Sequence, residues 1–288
     1  MSPPEIICSE EFSLLLSCRR FIRSWRPKDA KESLASRDIV LGIVHGLGDH
    51  CGRYDEMARW FASRGVHVYG FDLVGHGQSP GERMAIRDYH SLLAEVESLF
   101  DYLKQRHSDA RLGLFGQSMG GNLVLNHQLR DHSRAAFTIA GSPMLRAVNQ
   151  PGRASTFLLR LLSHLRPNDK LHGDMDASNL SRAPRMQQAF EEDPLVQRGI
   201  TLRLARVLID SGRWALENAH RLPTTTLLTH GTDDRITCHQ ASIEFGERSM
   251  GKAVTKLWPN GKHDLHHDIV REDYFQAIFN WIKTLGDS

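Results

Sequence analysis

The stretch "RLGLFGQSMGGNLVLNHQL" (residues 111–129) begins as an apolar strand-like run, narrows to small residues around one serine, and resumes with apolar spacing. Gly116, Ser118 and Gly120 form G-x-S-x-G, and Gly121 follows at once. The pattern has a geometric reason. To lift a serine hydroxyl above the end of a sheet, the chain must turn sharply from strand to helix, so the residues two before and two after must be small. The pattern alone is common by chance. Its position between a strand signal and a helical signal is the specific part, and it predicts that Ser118 is a nucleophile.

A serine hydroxyl is a poor nucleophile near neutral pH, so it needs a base, and the base needs a carboxylate to fix its tautomer. Both should lie downstream, on loops after later strands. The strand signal "TTTLLTHG" (residues 224–231) is followed by Asp233 and Asp234, which spacing does not separate. "AVTKLWPNG" (residues 253–261) is followed by "KHDLHHD", which offers His263, His266 and His267; His263 lies closest to the strand end. The same run has imidazoles three and four residues apart, but on a loop this spacing does not place them on one face, so no metal site is expected. Two backbone N–H donors should face the developing oxyanion. One is Met119, at the helix start, and the other is Leu47 in "HGLGDH" (residues 45–50), where Gly46 and Gly48 let the chain bend.

Outward from the serine, short β-branched runs alternate with amphipathic helical patterns, as parallel βα units do. Strands are expected at residues 39–46, 66–72, 111–117 and 135–142, and a helix over 91–106. "FSLLLS" and "CRRFIRSW" (residues 12–25) are close enough for a hairpin, which implies an antiparallel edge. The rhythm breaks over residues 143–222, which read as an inserted helical cap between core segments 1–142 and 223–288. Within the cap, "RASTFLLRLLSHLRP" (residues 153–167) predicts either a greasy lid that could meet a lipid surface or a helix packed on the core. The basic segment at residues 19–31 reads as a solvated face of the hairpin.

The 288 residues are 40% hydrophobic, enough for a substantial core, and carry a formal net charge of +2, too small for a phosphate-tracking surface. Nucleic acid is therefore not an expected partner. Cys8, Cys18, Cys51 and Cys238 show no metal or disulfide-scaffold spacing, so reduced thiols are expected. The first residues lack a secretory pattern, and no apolar run approaches the ~18 residues of a membrane span. The expectation is a cytoplasmic protein, with peripheral membrane contact through the cap left open.

These residues together resemble the monoglyceride lipase and lysophospholipase branch of the α/β-hydrolases. The matching stretches are "HGLGDHCGRY", "GFDLVGHGQSPGER", "GQSMGG", "DPLV", "HGTDDRIT" and "KHDLHHD", spread over nearly the whole chain. The resemblance implies an α/β-hydrolase fold and a carboxylester hydrolase acting on one acyl chain attached to glycerol, with no cofactor and no obligate protein partner. It implies Ser118 as nucleophile, His263 as base, Asp234 as the acid, and Leu47 and Met119 as oxyanion donors. It also implies Asp49, Arg53 and His266 as contacts to the glycerol end. Two departures stand out. Asp49 is one methylene shorter than the usual Glu, and Lys262 and Asp264 replace a more apolar setting, which would suit a more polar or charged head group. A lysophospholipase, a broader esterase or thioesterase, an acyltransferase and a peptidase of the same fold are the alternatives.

Overall fold

The computed structural model describes residues 5–15, 18–28, 38–130, 135–171 and 175–286. In chain order β1 (Ile6–Leu15), β2 (Cys18–Pro27) and β3 (Ile39–Val44) lead into α1 (Asp55–Ala62) and β4 (His67–Phe71). Then come α2 (Tyr89–Arg106), β5 (Arg111–Gln117), α3 (Met119–Leu129) and β6 (Phe137–Gly141). Next are α4 (Arg153–Leu165), β7 (Lys170–Leu171), α5 (Pro184–Glu192), β8 (Ile200–Thr201) and α6 (Leu202–Asn218). The chain closes with β9 (Thr226–Gly231), α7 (His239–Arg248), β10 (Ala253–Trp258) and α8 (Arg271–Thr284).

Eight strands form one sheet in the order β1-β2-β4-β3-β5-β6-β9-β10. From β4 to β10 every pairing is parallel, while β1 with β2 and β2 with β4 are antiparallel, giving the expected antiparallel edge. Strand β1 begins earlier than its apolar signal, at Ile6, and residues 16–17 of the expected strand lie outside the described ones. The pleat explains the two-sided core: along β3, Val40 and Val44 face one apolar cluster and Leu41 and Ile43 the other. Helices α2, α3, α6 and α7 cover the first face, and α1 and α8 the second.

One expectation changes in detail. Arg20, inside the basic segment read as solvated, is buried and pairs with Glu95 through both Nε and Nη2, at 2.8 and 2.7 Å. A guanidinium taken out of water needs such a bidentate partner, and β2 lies next to the strand whose loop carries Glu95's other contact, the Val74 N–H. Residues 29–31 of that segment lie outside the described ones. Within residues 143–222, α6 packs on the core. Its Leu204, Val207, Leu208 and Ala215 join the first core cluster, because its apolar stripe faces α3.

Candidate active site

In a parallel sheet all strands end at the same edge, and loops from four of them meet there. Ser118 follows β5, His45 to His50 follow β3, Asp234 follows β9 and His263 follows β10. Ser118 sits at the turn with φ 55°, a left-handed conformation costly for a residue with a side chain. Two glycines make that turn feasible: a Cβ on Gly116 would stand 2.2 Å from the Gly120 carbonyl oxygen, and one on Gly120 would stand 2.0 Å from that of Val44. The Ser118 N–H donates to the Gly141 carbonyl and its own carbonyl accepts from Asn122 and Met144, which pins the backbone on three sides.

His263 Nδ1 lies 2.7 Å from Asp234 Oδ2. Because a carboxylate only accepts, Nδ1 carries the proton and the lone pair of the neutral ring is left on Nε2, the nitrogen a base must offer. Asp234 is held by more than His263. Its Oδ1 accepts from the Ile236 and Thr237 N–H groups at 2.7 and 3.0 Å, and its Oδ2 from the Thr237 hydroxyl at 2.7 Å and from His230 Nε2 at 3.1 Å. Burial alone would raise this carboxyl, but the charge of His263 and the hydrogen bonds from His230 and His263 hold it far below the usual range. For His263 burial pulls downward, and the charge and hydrogen bond of Asp234, with the charge of Asp264, overcome it and leave the ring above its ordinary value of 6.5. Asp233, which spacing could not separate from its neighbour, points outward to Lys262 Nζ at 2.5 Å.

Ser118, His263, Leu47 and Met119 line one cavity of about 280 Å³. Met119 opens α3, where its backbone N–H has no carbonyl of an earlier turn to take it. The Leu47 loop is shaped by buried His45, whose Nδ1–H donates to the Gly46 carbonyl at 2.7 Å and whose Nε2 accepts from the Leu73 N–H at 3.0 Å. An ester carbonyl set between these N–H groups and the Ser118 hydroxyl could be attacked and its oxyanion held, and each such donor is typically worth ~10²–10³ in rate. Met144, Leu145, Met175, Leu180, Leu208 and Ile209 supply an apolar wall suited to an acyl chain.

The polar lining is contiguous. Arg53 Nε lies 2.9 Å from Asp49 Oδ1, and Asp49 Oδ2 accepts from the Tyr54 hydroxyl at 3.1 Å. The Arg53 guanidinium also donates to His267 Nδ1 at 3.2 Å, while His267 Nε2–H donates back to the Arg53 carbonyl at 2.7 Å. His266 takes a different place from the one the resemblance implies. It is absent from the cavity lining among the described residues, stacks on Tyr54 with ring centroids 4.8 Å apart, and is about 1% exposed. Burial, then the neighbouring His267, drives its pKa well below the ordinary value, so the ring is neutral. Asp264, His266 and His267 lie close enough to share an ion, but the lone pair of His267 Nδ1 already faces the Arg53 guanidinium.

Sequence reasoning passed over four supporting side chains: His230 and Thr237 around Asp234, His45 under the Leu47 loop, and Gln117. Gln117 Nε2 donates to the His263 carbonyl at 2.9 Å and tethers the histidine loop to the strand that carries the serine. Asp193 of the "DPLV" stretch has the same kind of role: its Oδ2 lies 2.9 Å from His50 Nε2, tying the end of α5 to the Leu47 loop.

Residues 35–269 match the family described as Hydrolase_4, serine aminopeptidase S33. An uncharacterized abhydrolase domain-containing protein of Dictyostelium discoideum is 29% identical over 91% of this chain, which spans 27% of that protein's length. The monoglyceride lipase of Mus musculus is 29% identical over 91% of this chain and 86% of its own. Among solved structures, a monoacylglycerol lipase of Paleococcus ferrophilus superposes with a TM-score of 0.79 at 25% identity, covering 98% of this chain and 99% of the other.

Proposed function

The chain belongs to the serine aminopeptidase S33 (Hydrolase_4) family, with the α/β-hydrolase fold, and from that membership we propose that it cleaves monoacylglycerol to fatty acid and glycerol. The observation that carries the reading is one cavity whose lining brings a strained serine and a carboxylate-paired histidine to the end of an apolar wall. The similarity to proteins named monoglyceride and monoacylglycerol lipases supports the substrate.

In this reading the Ser118 hydroxyl attacks the ester carbonyl while His263 Nε2 takes its proton. The Leu47 and Met119 N–H groups stabilise the tetrahedral oxyanion, and Asp234 stabilises the imidazolium. His263 then returns the proton to the departing glycerol oxygen, the acyl group stays on Ser118, and water, deprotonated by the same imidazole, releases the fatty acid. No step calls for a cofactor. Asp49 and Arg53 contact the glycerol end; His266 supports them from behind, through its stacking on Tyr54, rather than by touching substrate.

A panel of one acyl chain presented as 1-monoacylglycerol, lysophosphatidylcholine, an acyl-CoA and, separately, an aminoacyl amide tests the assignment. Monoacylglycerol is expected to give the highest kcat/KM. A preference for the amide or the thioester would replace the reading by a peptidase or a thioesterase.

We assign residues 143–222 as a cap and place its α4 against a lipid surface, in the cytoplasm. Phe157, Leu158, Leu161 and Leu165 are exposed there, and residues 143–168 contain four arginines and no acidic residue. An apolar helical face bordered by cations suits the boundary between acyl chains and head groups. All four cysteines are free, in keeping with a reducing compartment, and no helix among the described residues is long and apolar enough to cross a membrane. Leu161→Ser with Leu165→Ser is expected to slow hydrolysis of monoacylglycerol in vesicles several-fold while sparing a soluble short-chain ester. Equal loss on both substrates would tell against surface docking.

A further inference from the structure

Asp264 follows the histidine that returns the proton, lines the same cavity and is 8% exposed. Its two carboxylate oxygens are unequally served. Oδ1 accepts from Gln117 Nε2 at 3.2 Å, whereas the nearest ionisable nitrogen to Oδ2 is His267 Nδ1 at 3.9 Å. That nitrogen cannot act as a donor toward Asp264, because its lone pair receives the Arg53 N–H and its ring proton sits on Nε2. Among the described residues Oδ2 therefore receives no hydrogen bond, while the carboxylate lines the cavity that holds Ser118 and His263.

We propose that Asp264 selects the alcohol half of the substrate, accepting a hydrogen bond from a free hydroxyl of a neutral polyol and excluding alcohols that carry phosphate. The proposal rests on the monoacylglycerol reading and sharpens it.

The charges around the alcohol end support exclusion. Arg53 is matched by Asp49 at 2.9 Å, and the other arginine lining the cavity, Arg146, is held by Glu244 at 2.6 Å, a carboxylate it shares with Arg248 at 2.8 Å. Lys262 turns outward to Asp233, and His266 is neutral. Asp264 has no arginine or lysine partner among the described residues, and the imidazole nitrogen nearest to it, His267 Nδ1 at 3.9 Å, stands beyond hydrogen-bond distance. The end of the cavity that meets the leaving alcohol thus keeps one uncompensated negative charge. A phosphate brought there would meet a like charge in a medium that screens poorly, and among the described lining residues no cation without a carboxylate partner is there to receive it. A glycerol hydroxyl meets the acceptor it needs, and an alcohol without one leaves the carboxylate desolvated and unpaired. The polar setting that the sequence suggested would suit a charged head group therefore disfavours an anionic one.

The test compares wild type with D264N on 1-monoacylglycerol and 1-acylglycerol 3-phosphate of the same chain, both in neutral detergent micelles so that surface charge is equal. The wild type is expected to favour the uncharged ester by about tenfold or more in kcat/KM, and D264N, which keeps an acceptor and loses the charge, to shrink that ratio about tenfold. D264V, which also loses the acceptor, should shrink the preference for the glycerol ester over the ethyl ester of the same acid. A ratio unchanged in D264N, in a wild type that cleaves monoacylglycerol, overturns the assignment of Asp264 alone. A wild type that cleaves neither glycerol ester overturns the substrate reading and this proposal with it. Should D264N not fold, parity between the two substrates in the wild type is the overturning result.

Discussion

Ser118→Ala is expected to lower ester hydrolysis by about 10⁴-fold or more, with thermal stability close to that of the parent. The size follows from the arrangement. Among the described residues lining the cavity, Ser118 carries the only hydroxyl, and the lining includes no thiol, so no neighbour can take over covalent attack. What survives is the contribution of substrate binding and of the Leu47 and Met119 N–H groups acting on a water. Losing the Oγ removes no structural bond of the turn, because the elbow is held by backbone contacts to Gly141, Asn122 and Met144. A short p-nitrophenyl ester gives the rate and a fluorophosphonate probe gives the label, and both should vanish together. Near-parental turnover in the variant would remove Ser118 as nucleophile.

Asp234→Asn should cost about 10³–10⁴-fold in kcat, and Asp233→Asn no more than a few-fold. An amide at position 234 can turn its N–H₂ toward His263 Nδ1, which drives the ring proton to Nε2 and leaves nothing there to receive the serine proton. Asp233 pairs with Lys262 from a half-exposed position and takes no part in holding His263. The pH profile carries a second signature. His263 must be neutral to act, and it is raised above 6.5 against burial by Asp234 and Asp264, so kcat/KM should climb with pH through a midpoint above 6.5. Removing the Asp234 charge takes away what favours the imidazolium, so the residual activity of the variant should climb at lower pH. A limb that moves upward, or a larger loss at 233 than at 234, would place the carboxylate elsewhere.

How much of this was legible from the chain depends on the range of the physics involved. The elbow is local: a serine lifted from strand to helix demands small neighbours two residues away, so Gly116 and Gly120 announce Ser118 wherever the strand lies in the sheet. Strand periodicity is local too, because side chains alternate across the pleat, and the sheet runs where the β-branched runs stand. That the serine, acid and histidine loops share one rim follows from parallel strands ending at one edge.

The choice among near-identical neighbours is a different matter. Three imidazoles within five residues carry the same composition signal, yet they part company in space: His263 reaches Asp234, His266 stacks on Tyr54, and His267 closes on Arg53. Adjacent aspartates divide likewise, one receiving donors from His230, Thr237 and Ile236 and the other facing Lys262. The sequence by itself determined the sheet, the elbow and the loops on which chemistry could sit, because each rests on backbone rules that act over a few residues. Only the tertiary structure decided which side chain on each loop turns inward, because those outcomes depend on partners carried by other loops and strands, 29 residues away for His263 and Asp234 and more than a hundred for His267 and Asp264.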